Sequence, residues 1–200
     1  MDGKSLDREA ASAARIAALE SLLIDKGVIA TDTVDTVLTW FERDMGPFNG
    51  AKLVAKAWSD PAYKERVLND LPAALAELQI PRGAEGEHMK VVENTADVHN
   101  LIVCTLCSCY PWPLLGLPPY WYKDPTFRAR GIREPRAVLR EFGLNIPETT
   151  EVRVWDSSAQ IRWMVLPRRP AGSEGMSEAE LAALVTPEAM MGVAEVLVAR

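Results

Sequence analysis

All three cysteines of the chain fall within one hexapeptide, Cys104-Thr105-Leu106-Cys107-Ser108-Cys109. Four prolines follow closely, at Pro111, Pro113, Pro118 and Pro119. Each proline removes a backbone donor and fixes φ, so no long helix or strand can cross this stretch. The fold must therefore bring regular elements together around an irregular loop. An odd, clustered set of thiols is not a disulfide framework, and in an unsecreted chain it reads as a metal or redox site.

The spacing C-x-x-C-x-C has its own geometry. Cys107 and Cys109 bracket only Ser108, so both side chains can grip one ion. If the amides of Ser108 and Cys109 lose their protons, the Cys107 sulfur and the Ser108 nitrogen close a six-membered chelate ring. The Ser108 and Cys109 nitrogens close a five-membered ring, and the Cys109 nitrogen closes another with its own sulfur. Cys104 can then reach an axial position and leave the opposite one open. Competing readings remain at this point. Structural zinc wants four ligands, and the two histidines, His88 and His99, lie at no usual zinc-finger spacing. An iron–sulfur cluster normally takes four thiolates. A redox C-x-x-C fits the spacing but lacks a strand-to-helix context. Unliganded buried cysteines are hard to reconcile with three in six residues.

The rest of the chain is ordinary globular material, 200 residues with 48% hydrophobic and 25% charged positions. Its formal net charge of −6 argues against a nucleic-acid partner. No apolar run approaches the roughly 20 residues of a membrane span, and the N-terminal stretch has no apolar signal core. A cytoplasmic protein is expected. Residues 1–80 read as a helical N-terminal region, with Ile16, Leu19, Leu22 and Leu23 on one helix face. Gly27 suits a helix end, Thr31 or Asp32 the next cap, and shorter helices should divide near Pro61 and Pro72. Residues 81–200 read as the metal-binding catalytic domain. Its β-like segments are 89–93 and 101–103, and the alternating segments 151–155 and 161–165 are predicted to form a hairpin across Asp156-Ser157-Ser158. A short helix over 134–142 and a capping box from Ser177 to Glu180 complete an α+β class.

Around the hexapeptide, Tyr110 and Trp112 are candidate walls of an apolar substrate pocket, with plain packing as the alternative. His99 is read as a hydrogen-bonded structural histidine. Residues 123–140 carry six basic against two acidic side chains, and contacts with an acidic partner are the preferred reading.

The segment Val103-Cys104-Thr105-Leu106-Cys107-Ser108-Cys109-Tyr110-Pro111-Trp112-Pro113 resembles the metal claw of the nitrile hydratase α-subunit family. The likeness extends over most of the chain, through Glu93-Asn94-Thr95, Val98-His99-Asn100, Gly116-Leu117-Pro118-Pro119, Arg133-Glu134-Pro135-Arg136 and Val154-Trp155-Asp156-Ser157-Ser158. The resemblance implies hydration of a nitrile to an amide at a low-spin trivalent ion, one per chain. The implied ligands are the sulfurs of Cys104, Cys107 and Cys109 and the amide nitrogens of Ser108 and Cys109. Cys107 is implied to be a sulfinic acid and Cys109 a sulfenic acid, making Cys109, Cys107 and Ser108 the candidate catalytic residues. Thr105 and Tyr110 look like the cobalt class rather than the iron class. The implied fold is an extended helical N-terminal arm followed by a four-layered α-β-β-α domain, and the implied partner is a β subunit. Thiocyanate hydrolase carries a similar claw and is the related alternative; a non-catalytic metal scaffold is the third.

One electrostatic argument points the same way. Three thiolates and two deprotonated amides carry roughly −5, so a trivalent ion leaves about −2 on the claw. Charge of that size needs cationic donors. From Asn94 through Trp121 the chain has no Lys or Arg. Arg128 or Arg130 could fold back, but a rigid proline-rich apolar stretch intervenes, so the preferred reading takes the cations from another polypeptide.

Overall fold

Proline sets the helical rhythm of the chain. α1 (Gly3–Asp25) and α2 (Thr33–Asp44) precede a series in which α3 (Pro47–Ser59), α4 (Pro61–Asn69) and α5 (Leu71–Glu77) each begin with proline in the first two positions. There the missing N–H is one the helix could not satisfy anyway. Asp60 and Asp70 cap α4 and α5 by accepting from backbone N–H groups one turn in. The computed structural model describes residues 3–81 and 89–198, with side chains placed for 11–39, 45–81 and 89–198. His88 and the Arg82-Gly83 start of the second zone lie outside the described residues.

The chain divides into two compact units, Met1–Trp40 and Phe41–Arg200. The first is helical, turns at Gly27 with φ of 66°, and exposes Ile16, Leu19, Leu22, Val37 and Leu38. The second contains every strand among the described residues. It also contains α3, α4 and α5, which the sequence reading had grouped with the N-terminal helices.

In the second unit β1 (Met89–Glu93) pairs with β4 (Arg162–Leu166), and β2 (Val98–Val103) pairs with β3 (Glu151–Asp156). Both pairs are parallel. The expected hairpin of 151–155 with 161–165 does not form. β3 and β4 keep strand geometry but belong to different sheets, and Asp156-Ser157-Ser158 crosses between the sheets instead of folding one ribbon back. Alternation reports which way side chains point, not which strand lies alongside.

The two small sheets face each other. α4 and α5 pack on β1, while α8 (Pro125–Arg133) packs on β2 and α9 (Pro135–Glu141) on β3. The order is therefore helices, sheet, sheet, helices, an α+β fold in four layers. Leu101, Ile102 and Val103 are buried opposite Met164, Val165 and Leu166, as strands covered on both faces should be. α8 approaches closely because residue 131 is glycine: a Cβ there would lie 2.7 Å from Val103 Cγ1. The proline-rich stretch yields only two single turns, α6 (Trp112–Leu115) and α7 (Tyr120–Lys123). The capping box at Ser177 and Glu180 forms as read, opening α10 (Glu178–Leu184). Among the described residues no helix is long and apolar enough to cross a membrane.

Candidate metal centre

Strands β2 and β3 end side by side, Val103 opposite Asp156, and the cysteine loop begins at that edge. Ser157 N donates to Val103 O at 2.8 Å, closing the ladder. The Asp156 carboxylate then takes hold of Thr105 twice. Oδ1 accepts from the Thr105 N–H at 2.9 Å, and Oδ2 accepts from its hydroxyl at 2.6 Å. The charge-assisted pair fixes the loop as it leaves the strand.

Beyond Thr105 the chain curls on itself. Cys107 N donates to Cys104 Sγ at 3.3 Å; Cys104 Sγ and Cys107 Sγ are 3.4 Å apart, and Cys107 Sγ and Cys109 Sγ 3.0 Å. All three sulfurs lie within 4.8 Å of one another. Cys104 is buried, Cys109 half-buried and Cys107 exposed, so the cluster opens to the surface on the Cys107 side. Two side chains hold the loop by its carbonyls. Tyr122 Oη donates to Cys109 O at 2.9 Å, and Arg128 Nη1 donates to Cys107 O at 2.8 Å.

The thiols share protons unequally. Hydrogen bonding from Cys109, and then from Cys104 and the backbone N–H groups of Cys109 and Ser108, holds the Cys107 thiol below its ordinary value. Burial, followed by the proton it lends to Cys107, pushes the Cys109 thiol up to about 12. Among thiols this close, loss of one proton opposes loss of the next, so full deprotonation needs a cation among them. The donor set fits a thiophilic metal ion held by Cys104, Cys107 and Cys109, with the Ser108 and Cys109 amides turned toward the Cys107 sulfur. Among the described residues no histidine joins the three cysteines to complete a zinc set. His99 is buried, with Nε2 2.8 Å from Gly192 O and Nδ1 3.4 Å from Asn94 Nδ2, the satisfied histidine the sequence suggested.

The candidate pocket pair is divided. Tyr110 is 1% exposed and packs edge-on against Tyr122, ring centroids 5.2 Å apart, whereas Trp112 is 44% exposed at the start of α6. The basic run is employed largely inside the chain. Arg130 pairs with Glu134 at 2.7 Å and Glu141 at 2.6 Å, and Arg136 donates to the carbonyls of Ile146, Pro147 and Thr150. That replaces the expected acidic-partner contact for these two arginines. Arg128 does fold back to the loop. Sequence reasoning missed Asp156 and Tyr122 as loop holders. A carboxylate at the C-terminal end of a strand was the available signal for Asp156, since sites gather there in parallel sheets; nothing local marked Tyr122.

Comparison with known proteins agrees with this geometry. The family model described as nitrile hydratase, alpha chain, matches residues 10–194. The chain is 54% identical over 181 residues to the low-molecular weight cobalt-containing nitrile hydratase subunit alpha of Rhodococcus rhodochrous, covering 90% of this chain and 87% of that one. It is 37% identical over 187 residues to thiocyanate hydrolase subunit gamma of Thiobacillus thioparus, covering 88% and 76%. Among solved structures, a double mutant of the Fe-type nitrile hydratase from Comamonas testosteroni Ni1 superposes with a TM-score of 0.85 at 41% identity, over 98% of this chain and 93% of that one.

Proposed function

The chain belongs to the nitrile hydratase α-chain family, and from that premise we propose that it is the metal-bearing catalytic subunit of a cobalt enzyme that adds water to a nitrile. The observation that carries the reading is the convergence of three cysteine sulfurs within 4.8 Å on one loop. Cobalt is supported by the cobalt-containing relatives at 54% and 49% identity, and by Thr105 and Tyr110.

A trivalent cobalt ion held by the sulfurs of Cys104, Cys107 and Cys109 and the amide nitrogens of Ser108 and Cys109 supplies the Lewis acidity that makes a nitrile carbon electrophilic. The chain's residues supply the proton handling. Cys109, as a sulfenate, accepts a proton from the water that adds to the nitrile carbon and passes it toward the nitrile nitrogen. Both hydrogens of the water end on the amide nitrogen, its oxygen on the carbon, and nothing is oxidised or reduced. Cys107, as a sulfinate, offers two hydrogen-bond acceptors on the exposed side of the cluster. The Ser108 hydroxyl orients the incoming water. Tyr110 supports the loop from the core, and Trp112 provides apolar surface for a small nitrile.

The partner in this reading is a β subunit. Leu106 is 84% exposed, and Trp112, Leu117 and Tyr120 are also exposed on the turn that follows, an apolar surface suited to a protein interface. The reading includes neither nucleic acid nor membrane among the partners. A cytoplasmic site of action belongs to the same reading, in keeping with three cysteines that form no disulfide.

The test is to co-produce the chain with its β subunit in medium holding both cobalt and iron. About one cobalt per chain is expected, with conversion of a nitrile to its amide, and little turnover by the isolated chain. Stoichiometric iron or zinc without cobalt would overturn the metal assignment. The 37% identity to thiocyanate hydrolase supports a second reading: carbonyl sulfide released from thiocyanate, with no amide formed, would establish it. Neither product from a metal-loaded complex would leave a scaffold.

A further inference from the structure

We infer that Arg128 is a positioning residue of the claw, holding the Cys107–Ser108 peptide in place and supplying the site with a cation from its own chain. The inference rests on the metal reading above. Arg128 Nη1 donates to Cys107 O at 2.8 Å, across 21 residues of sequence. That carbonyl shares a planar trans peptide with the Ser108 N–H, so the oxygen and the N–H point in opposite directions. A guanidinium that holds the oxygen on one side fixes the direction of the Ser108 nitrogen on the other.

The side chain is placed by the fold rather than by chance contact. Gly131 lets α8 press onto Val103, the residue before Cys104. Arg128 stands three positions earlier, on the same helix face. Its neighbours in the basic run have other partners: Arg130 forms ion pairs with Glu134 and Glu141, and Arg136 lies 3.8 Å from Glu148. Among the described residues Arg128 makes no ion pair, so no carboxylate neutralises its charge. Its Nε is buried with no hydrogen-bond partner among the described residues. A buried unmatched donor is destabilising, and a residue kept at that cost is better explained by the loop it holds than by the stability of the fold. Arg128 also stands just beyond the stretch 94–121, which has no basic side chain to balance an anionic claw.

The test compares R128M, R128K and the control R133M in the assembled protein, matured at limiting cobalt. Cobalt per chain, the sulfur-to-cobalt charge-transfer absorption and the melting temperature of the metal-free protein are measured. R128M should load about tenfold less cobalt, as other supporting residues of metal sites do when removed, with an unchanged or higher metal-free melting temperature. R128K, which keeps the charge but not the planar fork, should fall between R128M and the parent, and R133M should match the parent. Normal cobalt loading in R128M would overturn the inference, as would a loss of loading matched by a lower metal-free melting temperature, which marks a structural brace. A parent protein that takes up no cobalt would remove the metal reading itself, and the inference with it.

Discussion

Strand β2 carries His99 near its start and runs into Cys104 at its end, and the two residues are similarly buried, at 7% and 0% exposure. Around His99 the polar network is closed. The ring meets Gly192 O and Asn94 Nδ2, Asn94 Oδ1 accepts from Asn100 N at 2.7 Å and Asn100 Nδ2 at 2.9 Å, and Asn100 Oδ1 accepts from Trp155 Nε1 at 2.8 Å. A cavity of roughly 410 Å³ borders this end, lined in part by His99 and Asn94, yet those two side chains already have partners. At the other end the loop's hydrogen bonds go to Thr105 and to backbone carbonyls, while the sulfurs meet one another and N–H groups of their own loop. A network completed within the chain fixes structure. A cluster whose backbone is satisfied but whose donor atoms are not is built for something the chain does not contain.

The largest expected effect lies at the open end. Cys107→Ala should abolish cobalt binding and lower nitrile hydration by about a thousandfold or more, while the metal-free protein keeps its stability to within about 0.5 kcal/mol because the side chain is exposed. Metal analysis, turnover and metal-free melting of the same preparation decide it; retained cobalt would mean that the sulfur cluster is not the ligand set.

Asp156→Ala should come next, with metal content or activity down by about 10- to 100-fold because Thr105 loses both acceptors. Thr105→Val removes the hydroxyl contact alone and should fall less. Equal losses in the two variants would show that the backbone contact contributes nothing to holding the loop.

At the closed end the order of effects should reverse. His99→Ala is expected to cost about 2–4 kcal/mol in denaturant unfolding, through a cavity and two abandoned hydrogen bonds, with cobalt content unchanged. Reduced cobalt at normal stability would erase the distinction between the two ends.

The smallest effect is one of pH. Burial holds His99 below its ordinary value of 6.5, so below that pH the unfolded chain takes up a proton that the folded one refuses. Its contribution to stability is complete above about pH 6.5 and is lost as pH falls from there toward the lower folded value. Melting curves at pH 7.5 and pH 5.5 should therefore separate more for the parent than for His99→Gln. Equal separations would show that His99 titrates alike in both states.

The thiol cluster was legible because its cysteines are five residues apart at most; C-x-x-C-x-C puts three sulfurs on one loop before any fold exists. Helix ends were legible for a similar reason, since proline in the first turn, Asp60, Asp70 and the Ser177 capping box act within three or four residues. The strands 151–155 and 161–165 were legible as strands. Their pairing was not: a hairpin and two strands of facing parallel sheets show similar alternation, and the choice depends on partners some fifty to seventy residues away.

Local chemistry thus determined the clustering of the three thiols, the class of the fold and the positions of most helix ends, because each depends on interactions within a few residues. Tertiary structure decided what surrounds the donors. Asp156 reaches Thr105 because β2 and β3 end in register, Tyr122 reaches Cys109 O from the buried side of α7, and Arg128 reaches Cys107 O because Gly131 lets α8 lie against Val103. Those contacts span 13 to 51 residues. They depend on strand register and helix-to-sheet distance, which are set by the packing of the whole core and not by the residues on either side of the claw.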